Sequence, residues 1–147
     1  MLRRSAPLAI AATLAGCGAG DDKPVQLPER SSAVAYKGTT SQRERISVDV
    51  AAQRAKATLK LNLRCKDGGE TTATVATEPR RPQVQPDGSF YYSETGKAKF
   101  AGFGVGRYRT AVAGQLNGPT GAGNASFRIS FKSTVCRANA RWRVRHT

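Results

Sequence analysis

The sequence predicts an all-β fold, with about eight short strands in one antiparallel β-sandwich or barrel-like domain. The first observation is composition: after residue 17 there are ten Val and two Ile against five Leu, and β-branched residues favour a pleated backbone. The second is an alternation of apolar and polar residues, which is typical of strands with one buried face. The third is the recurrence of Gly, Pro, Asn and Asp turn signals at intervals of roughly 8–14 residues.

The first half of the chain contains the clearest strand. Residues 46–50 alternate and predict a short strand. Between Arg54 and Cys65 every odd position is apolar or Cys and every even position is polar, which predicts a long strand with one buried face. An alternative for residues 51–57 is a helix, because the sequence AAQRAKA has high helix propensity.

Later segments continue the alternation. Residues 73–77 predict a strand, and residues 90–92 predict another after the Pro-Asp-Gly signal at residues 86–88, which suits a tight hairpin. The glycine-rich run at residues 101–107 predicts a loop or bulged strand and not a phosphate-binding turn, because no helix follows it. The last strands are predicted over residues 108–116, 125–131 and 138–144.

The N-terminus has the pattern of an export signal. Arg3 and Arg4 precede an apolar run at residues 6–16, which suits a signal-peptide core and is shorter than the ~20 residues that span a bilayer. The run ends in Leu14-Ala15-Gly16-Cys17, which resembles the bacterial lipoprotein signal. That resemblance implies cleavage after residue 16 and acylation of Cys17. A plain secretory signal and a buried N-terminal helix of a cytosolic protein are the alternatives.

The remaining chain divides into a tether and a domain. Residues 18–32 hold two Pro, several charges and no apolar periodicity, so they predict a flexible tether with an r.m.s. span of about 20 Å. A loosely packed N-terminal arm is the alternative. We therefore expect a signal peptide at residues 1–16, a lipid-anchor Cys and tether at 17–32, and the β domain at 33–147. The expected location is the cell membrane or cell surface of an exported, lipid-anchored protein.

Two cysteines remain, Cys65 and Cys136. Because the chain is predicted to be exported, we expect this pair to form a disulfide. Each has the parity of its strand's apolar face, which points both thiols into the core. Closing a loop of 72 residues stabilises a fold by roughly 4 kcal/mol in the chain-entropy model. The alternative, a redox or nucleophilic thiol, lacks a C-x-x-C motif.

Short motifs in the body carry a further resemblance. They are YKGTTSQ at residues 36–42, Cys-Lys-Asp-Gly at 65–68, Gly-Ser-Phe at 88–90, Gly-Gln-Leu at 114–116, Ala-Gly at 122–123, and Cys136 with Trp142 six residues later. This set is similar to a group of exported bacterial β-sandwich domains of uncharacterised function, over about residues 34–145. The resemblance implies the fold and the disulfide, and it carries no catalytic motif. We expect Trp142 in the core near the bridge, because most aromatic residues of a small sandwich are core residues. The sequence departs from that pattern at residues 137–139.

The basic surface is the strongest functional signal. The chain has 24 Lys and Arg against 10 Asp and Glu, a formal net charge of +14. Two outward rows are predicted to form anion-binding surfaces, which merge if the bridge joins neighbouring strands and lie apart if it crosses between sheets. An inert solvated surface is the alternative, and nucleic acid is disfavoured because aromatic residues are not interleaved with the cations. The rows are Arg54, Lys56, Lys60 and Arg64 on one strand and Arg137, Arg141, Arg143 and Arg145 on another.

Catalytic residues, a metal site and a cofactor are not predicted. His146 is the only imidazole and lies next to the chain end, where a positioned base is not expected. No pair of carboxylates stands out as the acid and base of a glycosidase. The sequence thus predicts a lipid-anchored, non-catalytic binding or structural module of the cell envelope that contacts anionic lipids or wall polymers. The alternatives are an envelope hydrolase whose carboxylates converge only in the fold, and an accessory subunit with an envelope protein partner.

Overall fold

A computed structural model describes residues 33–147. The predicted signal peptide, the predicted acylation site Cys17 and the predicted tether therefore lie outside the described residues. The described part is all-β, and it contains no helix that is long and apolar enough to cross a membrane. Its eight strands are β1 (Val34–Thr40), β2 (Arg45–Ala51), β3 (Arg54–Cys65), β4 (Glu70–Ala76), β5 (Ser89–Phe100), β6 (Gly104–Asn117), β7 (Thr120–Ser130) and β8 (Val135–His146).

The strands form one antiparallel sheet in the order β4-β3-β2-β1-β8-β7-β6-β5. An additional pairing between β3 and β8 closes β3, β2, β1 and β8 into a four-stranded ring. The all-β prediction is confirmed, and its barrel-like form describes the fold better than two separate sheets. Strand β1 was not among the strands singled out from the sequence, because only Tyr36 and Thr40 on it are fully buried.

The turn between β2 and β3 decides the alternative of a helix at residues 51–57. Ala51 pairs with Arg54, and the two residues between them, Ala52 and Gln53, have φ values of 49° and 59°. Two consecutive residues with positive φ make the tight hairpin turn that matches the twist of the strands. The helical alternative is therefore wrong, and the strand begins at Arg54 as the alternation predicted.

The Pro-Asp-Gly turn at residues 86–88 forms, but it does not join two paired strands. The backbone N–H of Gly88 donates to the carbonyl of Gln85, and Gln85 N–H donates to the carbonyl of Ser89. The strands before and after this loop, β4 and β5, are the two ends of the sheet order. The prediction of a hairpin at this turn is wrong, because turn chemistry reports local bending and carries no information on which strands pair.

The core lies inside the curled sheet, on the faces that the alternation predicted. Leu59, Leu61 and Leu63 of β3 are buried, and so are Ile129 of β7 and Val112 of β6. One continuous cluster of buried side chains reaches from β1 to β8. Residues between the buried ones point outward, since successive side chains on a strand alternate between its faces.

The predicted disulfide is present at the point where the ring closes. Cys65 of β3 and Cys136 of β8 are directly opposite in the register, with their Cα atoms 3.9 Å apart. Trp142 is 1% exposed, as predicted for a core residue. The prediction that Trp142 lies near the bridge is wrong, since six residues of strand β8, about 20 Å, separate it from Cys136. It stacks on Phe90 instead, with a ring separation of 6.1 Å.

Candidate anion-binding surface

The eight basic residues predicted to form two rows all lie on the outer face of the sheet. Alternation puts them there, because their neighbours along β3 and β8 belong to the buried core. Seven of the eight are exposed and Lys56 is half-buried. The structure then separates them by what each one contacts.

Arg54 and Lys56 are engaged by the loop that follows β4. The Arg54 Nη1 group donates to the carbonyl of Arg81 at 3.0 Å. The Nζ atom of Lys56 lies 3.3 Å from Oε2 of Glu78, which also pairs with Arg81. Hydrogen bonds from Arg81 and then Lys56 lower the pKa of Glu78. Lys56 is therefore part of a local ion-pair network and Arg54 is hydrogen-bonded to the same loop, so both contribute little to the open basic surface.

The two predicted rows meet at one end only. Strands β3 and β8 pair at Arg64 with Arg137 and at Cys65 with Cys136. Beyond this point β2 and β1 lie between them in the ring. The disulfide joins neighbouring strands of one sheet, which is the arrangement predicted to merge the two basic rows. The rows merge only at Arg64 and Arg137, however.

The merged end continues across two more strands. Arg137 of β8 lies opposite Arg128 of β7, which lies opposite Arg109 of β6. We call these four exposed residues, Arg64, Arg137, Arg128 and Arg109, the arginine ladder. Side chains directly opposite on paired strands have Cβ atoms about 4.5–5.5 Å apart, and three strand spacings of about 4.8 Å give the ladder a length of about 14 Å.

Sequence reasoning found only part of this ladder. The two predicted rows include Arg64 and Arg137, but neither Arg109 nor Arg128. The signal for Arg128 was its parity, because it falls between the inward-facing Phe127 and Ile129. The alignment of the four side chains depends on the register between strands, which the alternation within each strand does not contain.

A shallow depression lies beside the ladder on β5, β6 and β7. Its volume is about 500 Å³, and its cations are Lys97, Arg107, Arg109 and Arg128. The hydroxyl-bearing residues Thr95 and Ser130 also line it, and no Asp or Glu does. Among the described residues, one ion pair involves the ladder. The Nε atom of Arg64 lies 4.0 Å from Oε1 of Glu70, and both side chains are strongly exposed. Such a pair contributes little, so the ladder's positive charge is left largely unneutralised.

A second basic group lies at the other end of β8. We call Lys37, Arg143 and Arg145 the terminal row: Lys37 pairs with Arg145 across β1 and β8, and all three line a depression of about 450 Å³. Lys60 lies with Lys37 and Arg45 around a third depression of about 730 Å³. Of the predicted residues, Arg64 and Arg137 thus belong to the ladder, Arg143 and Arg145 to the terminal row, and Lys60 to a group on β1, β2 and β3.

A trough of about 520 Å³ lies between the ladder and the terminal row. Small side chains form its floor, and the amides of Asn124 and Asn139 make no hydrogen bond within the described part of the chain. Arg141, the last of the predicted residues, lies at one end of this trough. The trough is lined by Ser41, Ala111, Ala113, Asn124, Ala125, Ser126, Asn139, Ala140 and Arg141.

A cluster of ionisable side chains, Tyr92, Glu94 and Tyr108, lies on the inner face at the cleft between β4 and β5. Tyr92 donates a hydrogen bond to Oε2 of Glu94 at 2.8 Å. Burial, and then this bond, raises the pKa of Tyr92 to about 12. Burial and the same carboxylate raise the pKa of Tyr108. Among the strands described, Glu94 is the one carboxylate with inward parity, since Asp49 and Glu70 fall on outward positions.

The remaining side-chain chemistry is sparse. Within residues 33–147, no group of three or more His, Cys, Asp or Glu side chains is arranged to hold a metal ion. His146 lies in β8 opposite Tyr36 and packs edge-on against its ring. No family model, curated protein or solved structure matches the chain.

Proposed function

We propose that the protein is a lipid-anchored component of the cell envelope, with a non-catalytic β domain that contacts anionic lipids or wall polymers through its basic surface. The observation that carries the proposal is the arginine ladder. Like charges directly opposite on neighbouring strands destabilise a sheet, and no acidic residue lines the adjoining depression. A bound anion relieves this repulsion, and the planar guanidinium groups suit carboxylate or phosphate.

The anchoring part of the proposal rests on the lipoprotein signal that ends in Cys17. Two or three acyl chains make a stable anchor, because each buried methylene contributes about 0.8 kcal/mol and a single chain gives only marginal binding. The expected intact mass begins at Cys17 and includes the acyl groups. A Cys17→Ser variant should stay unprocessed or be released. A mature protein that begins elsewhere, or lacks acyl mass, would refute the anchor.

The binding part is tested on the Cys17→Ser chain from residue 17 onward, without detergent, because detergent would dissolve vesicles and acyl chains would insert into vesicles of any charge. We expect sedimentation with anionic vesicles or anionic wall polymers at low salt, and weaker binding as salt screens the charges. Neutral vesicles of the same size are the control. Absence of salt-sensitive binding to every anionic probe would refute the proposal and leave the basic surface as a solvated face.

The hydrolase alternative requires two carboxylates on either side of a substrate. In the described strands Glu94 has no second carboxylate on the inner face, and no observation favours this function. An accessory subunit would be favoured by an extended apolar patch. The exposed large hydrophobic residues of the described part are Tyr91 and Val105, which lie on opposite sides of the ladder in the β5–β6 register.

A further inference from the structure

We propose that the arginine ladder, together with the neighbouring trough, binds a linear anionic polysaccharide, and that the membrane is not its ligand. This inference rests on the proposed envelope function and narrows it to one class of ligand. Three observations carry it: the alignment of the ladder across the strands, its position relative to the start of the domain, and the neutral polar groups beside it.

The alignment favours an extended chain over an isolated ion. The four arginine positions are directly opposite one another in register across β3, β8, β7 and β6. The ladder is one residue wide and about 14 Å long, so a chain that crosses the strands contacts each arginine in turn. A single small anion would contact two of them and leave the outer two unneutralised.

The position of the ladder favours a ligand on the far side from the membrane. The described domain begins beside the C-terminal end of β8, where Tyr36 pairs with His146. Arg137 lies nine residues back along β8, at about 3.3 Å per residue, and so about 30 Å from that end. If Cys17 is anchored, the terminal row lies near the start of the domain, where the chain from the anchor enters, and the ladder lies about 30 Å from that point.

The surroundings of the ladder favour a sugar polymer over inorganic polyphosphate. The next outward row beside the ladder crosses β5, β6, β7 and β8. Its residues, aligned by the register, are Ser93, Ala111, Ser126 and Asn139. These are small neutral groups, and the amides of Asn124 and Asn139 are free within the described structure. A polysaccharide presents hydroxyl groups that pair with hydroxyls and amides, whereas a polyphosphate presents only anions. Interfacial membrane surfaces carry Trp, Phe or Leu clusters, and this row has none.

The test measures binding of the Cys17→Ser chain from residue 17 onward, which carries no acyl groups and needs no detergent, to four probes. They are a polyuronate such as alginate, neutral dextran of similar length, inorganic polyphosphate, and vesicles that contain phosphatidylglycerol. The ladder variant is Arg128→Gln with Arg137→Gln. The matched control is Arg143→Gln with Arg145→Gln, which removes the same charge from exposed positions of the terminal row. A third variant, Asn139→Ala, removes an amide from the trough and leaves the charge unchanged.

We expect polyuronate binding to fall at least tenfold in the ladder variant and less than twofold in the control. The Asn139→Ala variant should lose about three- to tenfold for polyuronate, the size of one or two hydrogen bonds, and should bind polyphosphate unchanged. Polyuronate should also raise the melting temperature of the wild type more than that of the ladder variant. That variant should fold normally, because both of its arginines are exposed.

Several results would overturn the inference while the proposed function stands. One is equal loss in the ladder and control variants, and another is polyphosphate binding at least as tight as polyuronate binding. A third is vesicle binding that depends on the ladder, which would make the ladder a membrane-docking surface. If the wild type binds no anionic probe, the proposed function fails as well, so the two failures are distinguishable.

Discussion

The packing of Trp142 against two glycines leads to a prediction that separates side-chain crowding from backbone crowding. Phe90, Gly114, Gly123 and Trp142 are aligned in register across β5, β6, β7 and β8. A Cβ atom at Gly114 would overlap the six-membered ring of Trp142, while the nearest backbone atom, the Ala122 carbonyl oxygen, would be 3.2 Å away. A Cβ atom at Gly123 would overlap both the Trp142 ring and a backbone carbonyl oxygen.

These contacts set the expected magnitudes. Overpacking a core costs about 1–3 kcal/mol, and replacing Gly with Ala returns about 0.4–1 kcal/mol through the unfolded chain. We expect Gly114→Ala to lower the free energy of unfolding by about 1–2 kcal/mol. Gly123→Ala should cost about 3 kcal/mol or more, because a backbone carbonyl within a paired strand cannot move aside as a side chain can.

A Trp142→Leu background distinguishes the two glycines. Trp142→Leu by itself should lower the free energy of unfolding by a few kcal/mol, as large-to-small substitutions in a core do. It also removes the ring that crowds Gly114. Gly114→Ala should then become neutral or slightly stabilising, which gives a coupling free energy of at least about 1 kcal/mol in a double-mutant cycle. Gly123→Ala should keep most of its cost, because the carbonyl of Ala113 remains in place.

Equilibrium urea unfolding of the four single and double glycine variants, with Trp142→Leu alone as the reference, measures these values. The m-value should stay constant, which shows that the variants change stability and not the surface area exposed on unfolding. The reasoning fails if Gly114→Ala costs the same in both backgrounds. It also fails if Trp142→Leu rescues Gly123→Ala completely.

Three further predictions concern the core. Cys65→Ala with Cys136→Ala should lower the free energy of unfolding by roughly 4 kcal/mol, because the bridge closes a long loop; an unchanged urea midpoint would contradict this. Burial raises the pKa of Tyr92 to about 12, so Tyr92 stays neutral in the folded protein while the unfolded phenol ionises near pH 10. The free energy of unfolding is unaffected by Tyr92 below pH 10 and should fall by about 2 kcal/mol between pH 10 and pH 12. Tyr92→Phe should lose less over that interval in pH-dependent unfolding, and an equal loss would refute the assignment. Thr77→Val should cost about 1–3 kcal/mol in thermal unfolding, because the Thr77 hydroxyl accepts from the buried N–H of Ala57 at 2.9 Å; Thr77→Ser keeps the hydroxyl and should cost less.

The alternation of residue types was enough to predict most of the fold. It located β3 to its first and last residue and assigned the inward faces of β6, β7 and β8, because burying one face of a strand imposes a period of two on the sequence. It did not show β1, where Gly38 occupies an inward position between the buried Tyr36 and Thr40. A Cβ atom at Gly38 would overlap the backbone of β8, so the close approach of two strands removed the apolar residue that would have marked the strand.

The pairing of strands could not be predicted in the same way. Local turn chemistry indicated a hairpin at residues 86–88, yet the loop there leads to the far end of the sheet. The arrangement of the basic surface could not be predicted either. The sequence shows that Arg64, Arg128 and Arg137 face outward, but their alignment depends on the register between strands. Cross-strand neighbours depend on long-range contacts, which no single segment specifies.

The ring closure connects the buried bridge to the exposed ladder. In an antiparallel pair, consecutive residues face opposite sides of the sheet, so the register that aligns Cys65 with Cys136 inside also aligns Arg64 with Arg137 outside. A slip of one residue in either strand would turn its arginine toward the core and its cysteine toward solvent. Only two residue pairs join β3 to β8, with one further backbone hydrogen bond from Lys66 to Val135 beside them, so the covalent bridge strengthens a short pairing that holds two like charges side by side. Arg128 and Arg109 need no such restraint, since the full-length pairing of β6, β7 and β8 fixes them.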